Sequence, residues 1–586
     1  MLATWGCSTF PKPTLSLDFA GATSLDSRVT FSRGSQATLF DSTGTLKYAK
    51  HNLLLQSQNF ATTWSANNVS VSTDSTSAPD GTTTADTLND GVVAAASHSL
   101  IQTPTIGVST TYVASFFAKN VDRRYVGFAI STTSSNNYGT VEFDLNGAGA
   151  VSRTAVLGTG FAIVSSSITS VGDGWFRCVA TITTGTAAVT DGRTTLYLSD
   201  GAGAFDSRGR ATYSGANASI YAWGAQFNLA NMEGGVTSSL TTYYPTTTAA
   251  YYAPRFDYNP STLQPLGLLI EEQRTNSFPN SNDFSNATYW TVYGTAVATA
   301  GAATGPDGLT SASNLAGATD TTLSGNNIEE SVSISASTAY TFSVFVKSNG
   351  GTEVVLRLRD STGGSTSTAT LTVTSAWQCI SLTRTMAVGA TSVRCIIGQT
   401  NGNILIYGAQ LEAGAFATSY IPTTTTALTR NADVATMTGT NFSSWYNTSE
   451  GTLFAQFLRT APTNSSQARV FSLSVGANTG LIELYQVNVT DPAAQIINTA
   501  TQAQWLTSGY VVGAPIRQAL AYKLNDSNAS FNGSAETPDT VCTIPSVTQA
   551  NIGNRQDLVR ALNGYVQRLS YYPTRLPNST LQALTA

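Results

Sequence analysis

The residues able to do acid–base or metal chemistry in this 586-residue chain are few. Histidine occurs twice, at His51 and His98. His98 lies in "AAASHSL", with no Ser-His-Asp arrangement nearby, and His51 stands at the start of a long β-rich region. Two isolated imidazoles build neither a nucleophile–base pair nor a metal site. Two carboxylates across a cleft could hydrolyse a glycosidic bond, and Asp80, Asp307, Glu271 and Glu272 are the candidates. Asp80 and Asp307 each sit in a Pro-Asp-Gly turn, where Asp serves the backbone. Glu271 and Glu272 are neighbours on a predicted strand and so point to opposite faces. The five cysteines, Cys7, Cys178, Cys379, Cys395 and Cys542, are scattered, odd in number and without C-x-x-C. They read as small buried hydrophobes, not as disulfides or zinc ligands. No Gly-rich dinucleotide motif, P-loop or EF-hand pattern is present. The expectation is a chain with no catalytic residues, no metal and no cofactor.

What the sequence does offer is rings: 8 Trp, 24 Tyr and 24 Phe, enough to supply both cores and sugar-stacking surfaces. Trp64, Trp175, Trp290 and Trp377 recur at matching places in two similar regions and read as core. The unrepeated Trp445, Tyr446, Trp505 and Tyr510 lie in turn-rich segments. With Asn525, Asp526 and Asn528 of "NDSN" they are the expected carbohydrate-binding set. Charged residues make up 11% of the chain, against about 25% in ordinary globular domains. The surface is therefore Ser, Thr, Asn and Gln. A net charge of -5 without a basic cluster excludes nucleic acid as a partner. No run reaches the ~18 apolar residues of a membrane span. The N-terminus "MLATWGCSTFPKP" lacks the basic and apolar regions of a signal peptide.

The elements that hold these residues are strands. "TYVASFFAKN" (111–120), "WFRCVATITT" (175–184), "AYTFSVFVKS" (339–348), "VVLRLRD" (354–360) and "GTLFAQFLRT" (451–460) alternate or are β-branched, between Gly, Asn, Asp and Ser. One helix is expected, in "LPNSTLQALTA", capped by Asn578 or Ser579. Six landmarks repeat in order. They are an opening segment (52–64; 275–290), a Pro-Asp-Gly turn (78–90; 305–317), a Tyr-rich strand with Lys119 or Lys347, a Trp-Cys strand, a Gly-Ala-Gln strand (221–228; 406–414) and a Pro exit (243–248; 420–425). The first copy carries about 40 extra residues near "GTVEFDLNGAGAVS", read as an extra hairpin or two.

The resulting organisation is all-β, tandem antiparallel β-sandwiches. Residues 1–51 form an attachment arm and hairpin, with "DSTG" as its turn. Residues 52–250 form a first jelly roll, inserted. Residues 251–275 are a connector that pairs with the N-terminal segment in one small β module. Residues 276–430 form a second jelly roll, and 431–586 a third sandwich.

The opening "NLL…NF…W" resembles the first strand of jelly-roll carbohydrate-binding modules. "SLDSRVTFSRGSQATLFDSTGTLKYA", "PRFDYNP…GLLIEEQRTN" and the "GAQLE…SYIPTT" exits resemble bacteriophage tail-fibre and virion-appendage proteins. The final 150 residues resemble the concanavalin/laminin-G-like lectin fold. Carbohydrate-binding modules often place an acidic residue after the opening Phe to help hold calcium; here those positions are Ala61 and Ser285. The resemblance implies a virion location, other virion proteins as partners, host-surface glycan as ligand, a homotrimer, no membrane insertion and no catalysis. An architectural role, as a head fibre, decoration or tail-wall protein, is the alternative. A polysaccharide-degrading enzyme is a third reading.

Overall fold

The computed structural model describes residues 11–132, 137–186, 192–319, 325–363, 366–459, 467–488, 490–511 and 513–586. Cys7, the first ten residues of the expected arm and residue 460 of the predicted strand lie outside the described residues. Strands dominate, and the longer of the two α-helices is Asn578–Thr585. That helix starts where expected, but Pro577 occupies the cap position and no side chain caps it.

Residues 48–253 form one compact unit. Its first sheet runs, strand by strand, Ala162–Gly172, Trp175–Thr183, Thr111–Asn120, Ser219–Leu229, Ala85–Asn89 and Ser70–Thr76. The facing sheet runs Ala150–Leu157, Tyr138–Asp144, Tyr125–Thr132, Gly192–Ser199 and Ala96–Gln102, with Ser65–Asn67 also on the last. Phe116, Phe128, Phe143 and Phe227 pack between them. The chain enters at His51–Asn52 and leaves at Tyr251–Tyr252, and these two short strands pair with each other.

The second unit combines residues 1–47 with 254–586. Within it, Gln378–Thr385, Ala339–Asn349, Asn403–Ala413, Ala312–Ala316 and Val297–Ala303 form one sheet. Thr366–Thr372, Glu353–Asp360, Ser392–Gln399, Asn327–Ser333 and Thr291–Tyr293 form the other. Strand for strand this is the order of the first unit, less Ala150–Leu157, Ala162–Gly172 and the two-residue Thr212–Tyr213; the extra residues expected as a hairpin are instead two strands that join different sheets. The alternation in "AYTFSVFVKS" decides the packing: Phe342, Val344 and Val346 are fully buried in the sandwich interior. Each such side chain contributes roughly 1.5–3 kcal/mol. Thr341, Ser343, Phe345 and Lys347 take the outer face.

The repeat extends to single hydrogen bonds. Asn52 donates to the carbonyls of Ala225 (3.0 Å) and Tyr244 (2.9 Å), and Asn276 to those of Ala409 (3.1 Å) and Ile421 (2.9 Å). Ser57 meets Tyr243 Oη, and Ser281 meets Tyr420 Oη, at 2.6 Å each. Gly224 and Gly408 have φ of 65° and 63°. A Cβ would strike the Phe117 ring from Gly224 and the Tyr420 ring from Gly408, so the glycine of Gly-Ala-Gln is required for both conformation and space.

The C-terminal sandwich has one sheet in the order Thr30–Ser32, Val434–Thr438, Gln549–Ile552, Ala468–Ser474, Gly480–Gln486, Pro492–Asn498 and Ala500–Leu506. The other runs Arg255–Tyr258, Pro265–Ile270, Gly564–Tyr572, Glu450–Arg459, Ile516–Lys523 and Asp526–Phe531. This corrects the expected small module. Leu15–Asp18 pairs with residues 568–571 of Gly564–Tyr572, and Leu268–Ile270 pairs with 564–566 of the same strand. Among the described strands none from 14–50 pairs with Arg255–Tyr258 or Pro265–Ile270. The long strand Gly564–Tyr572 has an open edge, and two short strands share it end to end. Between themselves the two segments meet through side chains: the Phe40 N–H donates to Asp257 (2.6 Å), and Arg255 to the Thr38 carbonyl (3.3 Å). The expected "DSTG" turn forms, with Gly44 N–H donating to the Asp41 carbonyl at 2.9 Å.

Candidate functional site

The sequence-predicted sugar-binding rings are spent in the interior of the C-terminal sandwich. Trp445 and Trp505 belong to its core and donate their indole N–H groups to the carbonyls of Asn441 and Thr537, 2.8 Å each. Tyr446 stacks on Phe442, and Tyr510 donates to the Phe531 carbonyl at 3.0 Å. Asn528 is buried; Asn525 is an exposed turn residue with φ 55°; Asp526 pairs with Arg575 at 2.9 Å. These seven residues do not gather into a cleft with open ring faces. Trp505 is not in a turn at all but on the inward face of the strand Ala500–Leu506, and Asp526 and Asn528 lie on the strand Asp526–Phe531.

The acid–base candidates are structural as well. His51 accepts from the Leu229 N–H (2.8 Å), and His98 is buried against Tyr213. Asp80 accepts from Thr82 and Asp307 from Leu309 and Ser311, each within its own turn. Glu271 bonds Arg255 (2.8 Å) and the N–H and hydroxyl of Ser419. Burial works against its charge, but Arg430 and Arg255 outweigh it and hold the carboxyl below its ordinary value. Glu272 pairs with Arg274 at 2.5 Å. Cys178, Cys395 and Cys542 are buried as expected; Cys379 is exposed.

Cys379 lies where a cleft forms on an aromatic face of the second jelly roll's outer sheet surface. Two cavities share Phe40, Phe345 and Cys379 as walls. The larger, about 480 Å³, is completed by Trp377, Pro260, Pro306 and the turn glycines Gly44, Gly305 and Gly308. Trp377 is half-buried and donates to the Thr304 carbonyl at 3.3 Å. Unlike buried Trp64, Trp175 and Trp290, it departs from the core reading. The smaller, about 260 Å³, reaches Ser343, Gln410, Phe416, Ser419, Asp257 and Glu271. Asp257 is buried; this pushes its carboxyl up to about 6, against the pull of the Phe40 N–H, Arg255 and the Tyr565 hydroxyl. Phe345 stands edge-on to Phe40, Tyr407 and Tyr420, with centroids 6.1–6.2 Å apart.

The two jelly rolls differ here. In the first, Phe117 pairs with Arg177 across the strands; in the second, Phe345 pairs with Cys379. Aligning on the strand register places Trp175 with Trp377, Arg177 with Cys379 and Cys178 with Ile380. The two cysteines therefore do not correspond: Cys178 faces inward and Cys379 outward. Arg177 fills its site, its guanidinium 4.9 Å from the Phe117 centroid and donating to the Ser239 carbonyl (2.7 Å), Thr242 Oγ1 (2.8 Å) and Ser115 Oγ (3.1 Å). The signal was available in "WFRC" against "WQCI", read from the tryptophan rather than from the cysteine.

No protein-family model and no curated protein matches the chain. Solved structures with similar β-sandwiches include the CBM40 of the Ruminococcus gnavus IT-sialidase. It is 16% identical over 25% of this chain and 88% of that one, with a TM-score of 0.21, and has also been solved bound to α2,3-sialyllactose. The CBM22-1–CBM22-2 tandem of Paenibacillus barcinonensis Xyn10C is 12% identical over 63% of this chain and all of that one, TM-score 0.22. The enzymatically active domain of bacteriophage CBA120 tailspike protein 4 is 16% identical over 23% and 21%, TM-score 0.19. Likeness at this level carries no argument; the chain's own sheets make it an all-β protein of tandem antiparallel sandwiches.

Proposed function

We propose that the chain is a non-catalytic glycan-binding appendage of a bacteriophage particle, a tail fibre or receptor-binding protein. The observation that carries the glycan part is the cavity walled by Trp377, Phe40 and Phe345. Aromatic faces pack against the C–H faces of sugar rings while offering little else, and the surrounding turns supply hydroxyls from Thr45 and Ser261. Single sites of this kind are weak, and many copies on a particle raise avidity without any new contact. The non-catalytic part is supported by the carboxylates beside the cleft. Glu271 is held by two arginines and Ser419, and Asp257 by two backbone N–H groups and Tyr565. Neither is left to act as acid or nucleophile. The phage part rests on the sequence resemblance, which also favours a trimer with residues 1–50 nearer the particle.

The experiment is a glycan array with the purified chain and Trp377→Ala. Wild type binds a host-surface glycan, the variant loses about tenfold or more in affinity, and no reducing ends appear. Turnover of the polymer would replace this reading with an enzyme. The architectural reading draws support from the buried rings of the C-terminal sandwich, and particle images with residues 431–586 against the capsid or tail tube would favour it.

A further inference from the structure

The smaller cavity, beside Glu271, occupies the place that Arg177 fills in the first jelly roll. Its walls match the seat of that guanidinium residue by residue. Phe345 corresponds to Phe117, whose ring the guanidinium overlies, and Ser343 to Ser115, which accepts from it. Gly408 and Gln410 correspond to Gly224 and Gln226 on the neighbouring strand. Ser419 corresponds to Thr242, since each precedes the tyrosine bonded to the conserved-position serine, and its carbonyl accepts from the matching glutamine. Cys379 stands where Arg177 stands, and Arg255, from the connector, bonds Ser419 Oγ at 2.6 Å as Arg177 bonds Thr242 Oγ1, leaving the Phe345 face and Ser343 without a guanidinium.

The second seat is also the better one for a cation. In the first, Arg177 has no carboxylate partner among the described residues, and burial pulls its guanidinium down to about 10. In the second, the carboxylates of Glu271 and Asp257 both line the cavity. Glu271 already bonds Arg255, but Asp257 makes no ion pair among the described residues and accepts from Tyr565, Phe40 and Tyr258. Ser343 Oγ makes no hydrogen bond among the described residues, so the acceptor that Arg177 uses in the first copy is available in the second. The cavity opens at exposed Cys379 and half-buried Phe40.

We propose that this cavity is a docking site for an arginine side chain presented by another polypeptide. Its guanidinium lies over Phe345, donates to Ser343 and the Ser419 region, and faces Asp257. A planar, donor-rich cation fits that arrangement; an ammonium lacks the flat face, and a neutral urea group lacks the charge. The site shares Phe40, Phe345 and Cys379 with the Trp377 cavity, but its cation preference rests on Ser343, Ser419 and Asp257, and a peptide titration reads it whether or not glycan binds next door.

The test is isothermal titration of the full chain with a blocked Gly-Arg-Gly peptide, its citrulline analogue and its lysine analogue. The arginine peptide is expected to bind about tenfold or more tighter than either. Cys379→Arg, which supplies the guanidinium from within as the first copy does, is expected to abolish that binding and raise the melting temperature. Cys379→Ser should keep it. Equal binding of the arginine and citrulline peptides, or undiminished arginine binding by folded Cys379→Arg, would overturn the proposal. The comparison of peptides on the wild-type chain decides alone should the arginine variant fail to fold.

Discussion

Glu330 is the least comfortable side chain in the second jelly roll. It lies on Asn327–Ser333 two residues after Ile328, on the face that packs inward, directly across from Cys395. It is buried, and its Oε2 finds no hydrogen-bond partner among the described residues. Burial alone pushes its carboxyl up to about 8, against about 4.3 for a free glutamate. The folded protein therefore holds the neutral form, and the unfolded chain ionises first. Stability is full below about pH 4.3 and is lost progressively as the pH rises through 8. The slope approaches about 1.4 kcal/mol per pH unit within that window, an upper bound because water penetration screens the site. Thermal melts should show wild type less stable at pH 8 than at pH 5, with Glu330→Gln falling less over that range, the remainder including Asp257, and more stable than wild type at pH 8. A wild-type melting temperature that rises from pH 5 to 8 while the variant tracks it would contradict this.

At the level of elements, the first jelly roll carries two consecutive strands that the second does without. Ala150–Leu157 and Ala162–Gly172 are mostly exposed, and they add an edge strand to each sheet. Their inward contribution is small: Phe161 is buried, and Ile163 and Ile168 pack partly against the core. Replacing residues 146–173 by a short turn should leave a β-type circular dichroism spectrum and a cooperative melt, at a melting temperature lowered by the exposure of Phe176 and Ile182. Loss of cooperative melting would show the two strands to be essential. Strands of this kind were legible because their alternation and bounding turns are local. So was the duplication, because both copies need a glycine against an aromatic ring at the same place and the same asparagine bridging two carbonyls. The partners of residues 14–50 and 253–275 were not legible. Each segment is a short strand, and nothing in four to six residues names an edge that begins near residue 564, hundreds of residues further on. The site escaped for a related reason. Trp445 and Trp505 look accessible from their turn-rich neighbours, while the ring that does line a cleft, Trp377, repeats a core position and differs only because a neighbouring arginine has become a cysteine.

Across the larger unit, a buried ionic cluster accounts for the charges of residues 251–275. Asp433, wholly buried, bonds Arg33 (2.8 Å) and Arg255 (2.5 Å), and Arg430 completes the group with Glu271 (3.4 Å). The charges of the N-terminal segment, the connector and the exit of the second jelly roll thus meet at the root of the C-terminal sandwich. Burial opposes the Asp433 charge, but Arg255, Arg33 and Arg430 outweigh it and bring the carboxyl down to about 2. Its contribution is present above about pH 3.9 and is lost as the pH falls through 2. Asp433→Asn leaves three buried guanidinium groups short of one anion, a change that costs about 3–5 kcal/mol. Differential scanning calorimetry of the variant should show the second jelly roll and the C-terminal sandwich melting separately, at a lower first temperature. A single transition at the wild-type temperature would remove the cluster's role as the tie.

The short pairing of His51–Asn52 with Tyr251–Tyr252 brings the two ends of the first jelly roll side by side. A domain whose ends touch behaves as a cassette: it can be lost, gained or exchanged for a foreign one while the flanking chain keeps its course. Exchanging residues 48–253 for another domain with adjoining ends would change what that module displays in one step, while the residues of the ionic tie and the aromatic cleft, all outside it, keep their sequence.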